Sequence, residues 1–255
     1  MTRRGVLLGG LMLALGACSS GLRHLGLAPA PSRSPSVVPL TPAPTPTPIP
    51  TPSPTGPATF VTNGPRTSTG VALTFHASGD LGMAGQMLDL AKAAQAPITV
   101  FAVGNWLEAA PAIGNRILAE GHELGNHTYT HPALGSLTAA GVADEIDRCV
   151  QVLQSVQGNN GRWFRPSGID IPTPTILDQV GKAGYFQSIG WDIDPLDYNE
   201  PGGPAVVSIV TAGLKPGSII SLHFGYQSSL DAFPQIVSAI RAKGLQPMLL
   251  RDLLG

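Results

Sequence analysis

From about Gly70 to the C-terminus, short apolar runs alternate with stretches of helical period. Val71–Phe75, Ile98–Val103, Tyr185–Trp191 and Ser218–His223 are brief runs rich in β-branched and aromatic residues, and they predict strands. Arg162–Phe164 predicts a further short strand, and Gly121–Gly125 a turn leading into one. Between them lie helical stretches at Met83–Ala94, Trp106–Ala119 (interrupted by Pro111), Thr138–Val156, Thr175–Ala183, Ala205–Ala212 and Leu230–Ala242. In Thr138–Val156, Ile146, Val150, Leu153 and Val156 fall on one stripe. Leu245–Leu249 ends the chain. Strands that alternate with helices pair in parallel through βα units. Six or seven units in about 185 residues predict one α/β domain over 70–255, a barrel or an open sheet.

Before Gly70 the pattern vanishes. Residues 19–69 are mostly Pro, Ser, Thr, Ala and Gly, too poor in large apolar groups to offset the entropy of ordering. Of the 25 prolines, 12 lie in Pro29–Pro57, and the Thr-Pro repeats from Thr41 to Pro54 favour extended polyproline II. The segment 18–69 is therefore expected to be a Pro/Thr/Ser-rich disordered linker. Ahead of it, Arg3 and Arg4 precede an apolar run from Gly5 to Cys18. A bilayer-crossing helix needs about 20 residues, so this shorter run predicts a secretory signal. Leu15-Gly16-Ala17-Cys18 resembles a bacterial lipobox, which implies loss of residues 1–17 and lipidation of Cys18. A plain signal peptide with an incidental cysteine is the alternative. Thr2-Arg3-Arg4 loosely resembles a twin-arginine signal. The lipidated form would be exported and held at the outer face of the cell membrane, with its domain reaching into the cell wall.

Charge is scarce, at 12% of residues against roughly 25% in an average soluble chain. The net charge is −1 with no basic run, which argues against nucleic acid as a partner. Two cysteines exclude a disulfide-dense scaffold and a cysteine-rich zinc module, and Cys149 reads as a small buried helix residue. Scarcity makes the placement of the remaining polar groups informative. Parallel α/β folds gather active residues at the carboxyl ends of strands. His76, His127 with His131, Arg165, Asp192 with Asp194 and Asp197, and His223 all fall at or just after predicted strand ends. His127 and His131 are spaced to face one metal ion, and imidazole suits zinc as well as cobalt, nickel or iron. A catalytic site of that kind needs a third protein ligand and an open position.

Thr99–Gly104 followed by Gly121–Pro132 closely resembles the polysaccharide deacetylase family, the NodB-homology domain of carbohydrate esterase family 4. The resemblance covers about residues 70–250. His127 and His131 match its metal-binding histidines. Phe164-Arg165-Pro166-Ser167-Gly168 resembles its Arg-Pro motif, one residue short. Asp194-Pro195-Leu196-Asp197-Tyr198 resembles Asp-x-x-Asp-Trp, with Tyr for Trp. Ser221-Leu222-His223 matches the segment whose histidine is the general acid. The resemblance implies an irregular (β/α)7 barrel and metal-assisted hydrolysis of N- or O-acetyl groups. The substrate would be an acetylated glycan, peptidoglycan or another envelope polysaccharide, and the domain a monomer. It implies a divalent cation, zinc foremost. His223 would protonate the leaving group, Asp197 would pair with it and favour its protonated form, and Arg165 would orient the base.

The first motif departs from the pattern. Where the family has Thr-Phe-Asp-Asp-Gly, this chain has Thr74-Phe75-His76-Ala77-Ser78-Gly79-Asp80. His76 takes the slot of the base and Ala77 that of a metal ligand. Two repairs are open. Asp80 would return as ligand or base, or His76 would serve as third ligand or as a neutral base. A disabled site would leave a glycan-binding module on the same fold. Trp106, Trp163, Trp191 and Tyr226 are candidates to stack on sugar rings or to pack in the core.

Overall fold

The computed structural model describes residues 54–255. The expectations for residues 1–17, for Cys18 and for most of the linker lie outside the described residues. The strands are β1 (Thr59–Val61), β2 (Gly70–Ala77), β3 (Thr99–Ala102), β4 (Glu123–Asn126), β5 (Gln187–Ile189), β6 (Ile219–His223) and β7 (Gln246–Met248). The helices are α1 (Leu81–Ala93), α2 (Gly104–Ala109), α3 (Pro111–Ala119), α4 (Ala139–Gln157), α5 (Pro174–Lys182), α6 (Gly203–Gly213), α7 (Gln227–Ala242) and α8 (Leu250–Leu254). Single 3-10 turns cover Leu134–Ser136 and Asp197–Asn199. Among the described residues no helix is long and apolar enough to cross a membrane.

β2 is the central strand. β3 and β6 flank it in parallel, β7 pairs with its first residues, and β4 extends the sheet beyond β3. Two isolated bridges at Phe164 link Asn126 of β4 to Ser188 of β5. β1 pairs with β5, and bridges from Asn63 to Ser218 and from Ile193 to Ile220 return the ring to β6. The result is an irregular parallel α/β barrel with its helices outside.

The period-2 rule sorts β2 cleanly. Val71, Leu73, Phe75 and Ala77 pack into the core shared with the helices. Ala72 joins Phe101, Trp163, Ile219 and Leu250 in the barrel interior. Thr74 and His76 continue that inward face, in register with Ser221 and His223 of β6. Thus the sequence alternation that builds the core also brings His76 and His223 to one rim.

The barrel begins before Gly70, which corrects the boundary between linker and domain. Ala58 is buried, Thr59–Val61 pair with Gln187–Ile189, and Gly64 N–H donates to Gly217 C=O at 2.7 Å. Phe60 lies where a Cβ on Gly190 would sit, so the glycine makes room for that ring. Three residues are too few to show a period, which is why composition hid them in the linker. The strand expected at Arg162–Phe164 shrinks to the single residue Phe164, which bridges Asn126 on one side and Ser188 on the other. The helix expected over Trp106–Ala119 breaks at Ala110 into α2 and α3, with Pro111 opening α3 as a first-turn proline.

Candidate metal and catalytic site

A cleft of about 330 Å³ opens over the carboxyl ends of β2, β4, β5 and β6. His76, His127 and His131 meet at its floor, each offering a ring nitrogen within 4.8 Å of the others. His127 follows β4, where its N–H donates to Ala102 C=O and its Nδ1–H to Arg165 C=O at 2.9 Å. A carbonyl only accepts, so His127 Nδ1 carries the proton and Nε2 presents a lone pair. His76 Nδ1 stands 2.8 Å from that Nε2.

His131 reaches the cluster through a strained loop. Thr128 and His131 adopt φ of +64° and +60°, a left-handed conformation that costs residues with a Cβ. Glu145, buried on α4, holds the loop by accepting from Tyr129 N–H (2.9 Å), Thr130 N–H (2.8 Å) and Thr130 Oγ1–H (2.7 Å).

Burial holds His76 and His127 well below the usual histidine range, helped by the neighbouring histidines and the Arg165 cation. Burial also lowers His131, with His223 adding to the effect. The three rings are therefore neutral near pH 7, the form that ligates a metal. Three convergent neutral imidazoles beside an open cleft fit one small divalent cation.

The structure does not bring Asp80 to this cluster. Expected there as ligand or base, it is exposed at the start of α1, and its Oδ1 accepts Met83 N–H at 2.8 Å. Gly79 at φ +81° turns the chain away, and aspartate is a favoured helix N-cap. Ala77 points the other way, into the helix-covered core.

His223 ends β6 with its ring stacked on His76, centroids 4.4 Å apart. Its Nδ1–H donates to Asp197 Oδ1 at 2.8 Å, and its backbone N–H donates to Oδ2, also at 2.8 Å. Asp197 is fully buried and accepts from Ser229 Oγ–H as well. With Nδ1 engaged, Nε2 is the nitrogen left for chemistry in the cleft.

Arg165 is fully buried. It donates to the carbonyls of Ile189 and Gly190 (3.0 Å each) and to Thr74 Oγ1 (2.8 Å), and it lies 4.2 Å over the Phe101 ring. Burial pushes its pKa down to about 9, which leaves it a cation at neutral pH. It forms no hydrogen bond to His76. Its charge opposes protonation of His76, and its carbonyl fixes His127.

Among the aromatic candidates, Trp191 and Tyr226 line the cleft. Trp163 packs at 2% exposure in the barrel interior, and Trp106 Nε1–H donates to Gly79 C=O at 2.9 Å. Asp192 pairs with Arg66 at 2.8 Å, away from the cleft lining. Asp194 does line it, with Oδ1 accepting Leu196 N–H at 2.9 Å, and burial raises its pKa. Cys149 is buried and its thiol is pushed up to about 12, so it is inert. Sequence reasoning passed over Glu145 and gave Ser221 no role beyond its place in the segment that ends in His223. Glu145 is the one acid among the buried positions of α4, and Ser221 shares the inward period of His223. Each departure from an apolar pattern was the available signal.

Comparison with known proteins places this barrel in context. A family profile described as polysaccharide deacetylase matches residues 63–187. A chitooligosaccharide deacetylase of Bradyrhizobium sp. (strain ANU 289) is 35% identical over 158 residues, covering 61% of this chain and 71% of that protein. The solved Bc1960 peptidoglycan N-acetylglucosamine deacetylase superposes with a TM-score of 0.72 at 28% identity, covering 76% of this chain and 92% of that one. BA3943, a pseudoenzyme of carbohydrate esterase family 4 from Bacillus anthracis, shares the fold at TM-score 0.72 and 21% identity, over 77% of this chain and 69% of its own. Identity sustained across most of a relative's length marks common descent rather than convergence on a barrel, and the chain belongs to the polysaccharide deacetylase family.

Proposed function

We propose that this domain removes acetyl groups, N- or O-linked, from a cell-wall or envelope polysaccharide, using a divalent cation held by His76, His127 and His131. The carrying observation is the meeting of three ring nitrogens within 4.8 Å beside the His223–Asp197 pair. Relatives named as chitooligosaccharide and peptidoglycan deacetylases support the substrate class. Zinc is the cation that the neutral imidazole set favours. Bound there, it would polarise the acetyl carbonyl and activate water. His223 then delivers a proton from Nε2 to the leaving nitrogen or oxygen, while Asp197 holds its ring in place. Trp191, Tyr198 and Tyr226 wall the cleft and offer ring faces to a sugar. With His76 a ligand, Asp170, Asp194 and His223 are the cleft groups left to accept the proton of water.

A second reading is glycan binding without turnover. It is favoured by Ala77, which replaces a ligating carboxylate and is packed in the core. The purified chain decides between the two. We expect one equivalent of zinc, lost in His127→Ala, and acetate released from acetylated chitooligosaccharides or a small acetyl ester by wild type alone. Acetate release with bound zinc supports the hydrolase, whereas zinc without acetate, or neither, sinks it and supports the binding module.

We further propose that residues 1–17 are a signal, that Cys18 carries the lipid anchor and that the Pro/Thr/Ser-rich segment is the spacer to the barrel. Mass spectrometry of the mature N-terminus should find acyl chains on Cys18. Recovery of the chain in a wash of the cells without detergent would contradict the anchor.

A further inference from the structure

We propose that Ser221 is a positioning residue for the cation site, whose hydroxyl lets His76 turn Nδ1 from hydrogen-bond donor to metal ligand without moving its ring. This rests on the three-histidine reading above. His127 Nδ1–H is committed to the Arg165 carbonyl, so its Nε2 is a lone pair. Two lone pairs cannot face each other at 2.8 Å, so His76 Nδ1 must carry the hydrogen that joins them. A neutral His76 then has its lone pair on Nε2. That nitrogen is 3.0 Å from Ser221 Oγ, which therefore donates to it.

Ligation through Nδ1 requires the opposite tautomer. The hydrogen moves to Nε2, which now donates, and the same serine oxygen accepts. A hydroxyl is suited to this because it can both donate and accept. The ring is restrained while this happens. It stacks on His223 at 20° between planes and meets Trp191 edge-on, with centroids 5.4 Å apart. Thr74 is the neighbouring hydroxyl on the inward face and cannot substitute. It donates to Ile220 C=O at 2.6 Å and accepts from Arg165 Nη2 at 2.8 Å. Ser221 is fully buried and makes no other side-chain hydrogen bond. Its hydrogen, once released, turns to the cleft that Ser221 lines. Groups that orient a ligating histidine in this way are worth about 10–100-fold in metal affinity.

The test uses the full chain, as wild type, Ser221→Ala, Ser221→Thr and His76→Ala. Zinc affinity is read by competition with a chelating dye, and the tautomers of His76 and His127 by ¹⁵N NMR with and without zinc. We expect Ser221→Ala to bind zinc about 10–100-fold more weakly and Ser221→Thr to stay near wild type. In wild type, His76 should pass from the Nδ1–H to the Nε2–H form on zinc addition, while His127 keeps Nδ1–H. The NMR result stands on wild type alone, whatever the variants do to folding. An unchanged affinity in Ser221→Ala, or one His76 tautomer in both states, overturns the role of Ser221. Full zinc affinity in His76→Ala overturns the three-histidine reading itself and the proposal with it.

Discussion

Asp80 and His76 lie on one short segment, yet the fold gives them different work. His76 occupies the last inward position of β2, while Asp80 sits past the Gly79 turn and caps α1. Replacing Asp80 with Ala should therefore lower stability by about 1 kcal/mol, the usual worth of an N-cap, and leave bound zinc unchanged. Denaturant titration with metal analysis checks both parts, and loss of zinc in that variant would return Asp80 to the site. His223 tests the opposite case, a residue that on the function proposed above acts on substrate and not on metal. His223→Ala should keep its zinc and lose about 10²–10⁴-fold in acetate release, the range for one general acid. Residue types were legible here because ionisable groups are few, and their positions after strands marked the rim. The direction of the chain at Gly79 was not legible, since a positive φ leaves no trace in hydrophobic pattern.

At the scale of elements, the loop after β4 depends on α4. The loop carries two residues in left-handed conformation and places His131, and a buried Glu145 accepts three hydrogen bonds from it. Hydrogen bonds to charged groups contribute roughly 1.5–3 kcal/mol each, more than offsetting the strain of about 1–2 kcal/mol per left-handed residue. Glu145→Ala should release the loop and weaken zinc binding by about tenfold or more, which the same dye competition reads. Glu145→Gln keeps an acceptor oxygen and should fall between. Equal zinc affinity in all three chains would leave the loop self-supporting. The elements themselves followed from period: Val71–Phe75, Thr138–Val156 and Ser218–His223 were all foreseen within a few residues. What period could not show was connectivity too short to repeat, as at Phe164 and in β1, where tertiary pairing makes the strand.

Across the whole molecule, the cost of burying histidine beside a cation appears as sensitivity to acid. His76 and His127 are neutral in the fold, with pKa values held well below 6.5, and near 6.5 in the unfolded chain. Below pH 6.5 the unfolded chain takes up protons that the folded chain refuses, so stability is full above that pH and falls beneath it. The slope approaches about 1.4 kcal/mol per pH unit for each histidine. Melting of the metal-free protein should be level from pH 8 to 7 and drop from 6.5 to 5.5, and a level profile throughout would contradict the burial. Ring closure gives the last prediction. Between β5 and β6 the barrel is sealed from below by β1 and Asn63, and from above by the Ile193–Ile220 bridge. Ala58 N–H donates to Leu177 C=O, Thr59 N–H to Phe186 C=O and Gly64 N–H to Gly217 C=O, while Val61 C=O accepts from Gly190 N–H. Gly190 C=O in turn accepts from Arg165, and the chain runs on through Trp191 to the cleft. A chain starting at Gly70, where composition changes, loses every one of these β1 contacts. At about 1 kcal/mol per hydrogen bond the loss is several kcal/mol, a large share of the 5–15 kcal/mol that holds a domain together. Such a chain should melt well below one that starts at residue 54, and its zinc affinity should fall with it, because the unsealed edge of β5 leads directly to Arg165 and the histidines it keeps neutral. Equal melting temperatures for the two chains would mean that β1 only decorates the barrel.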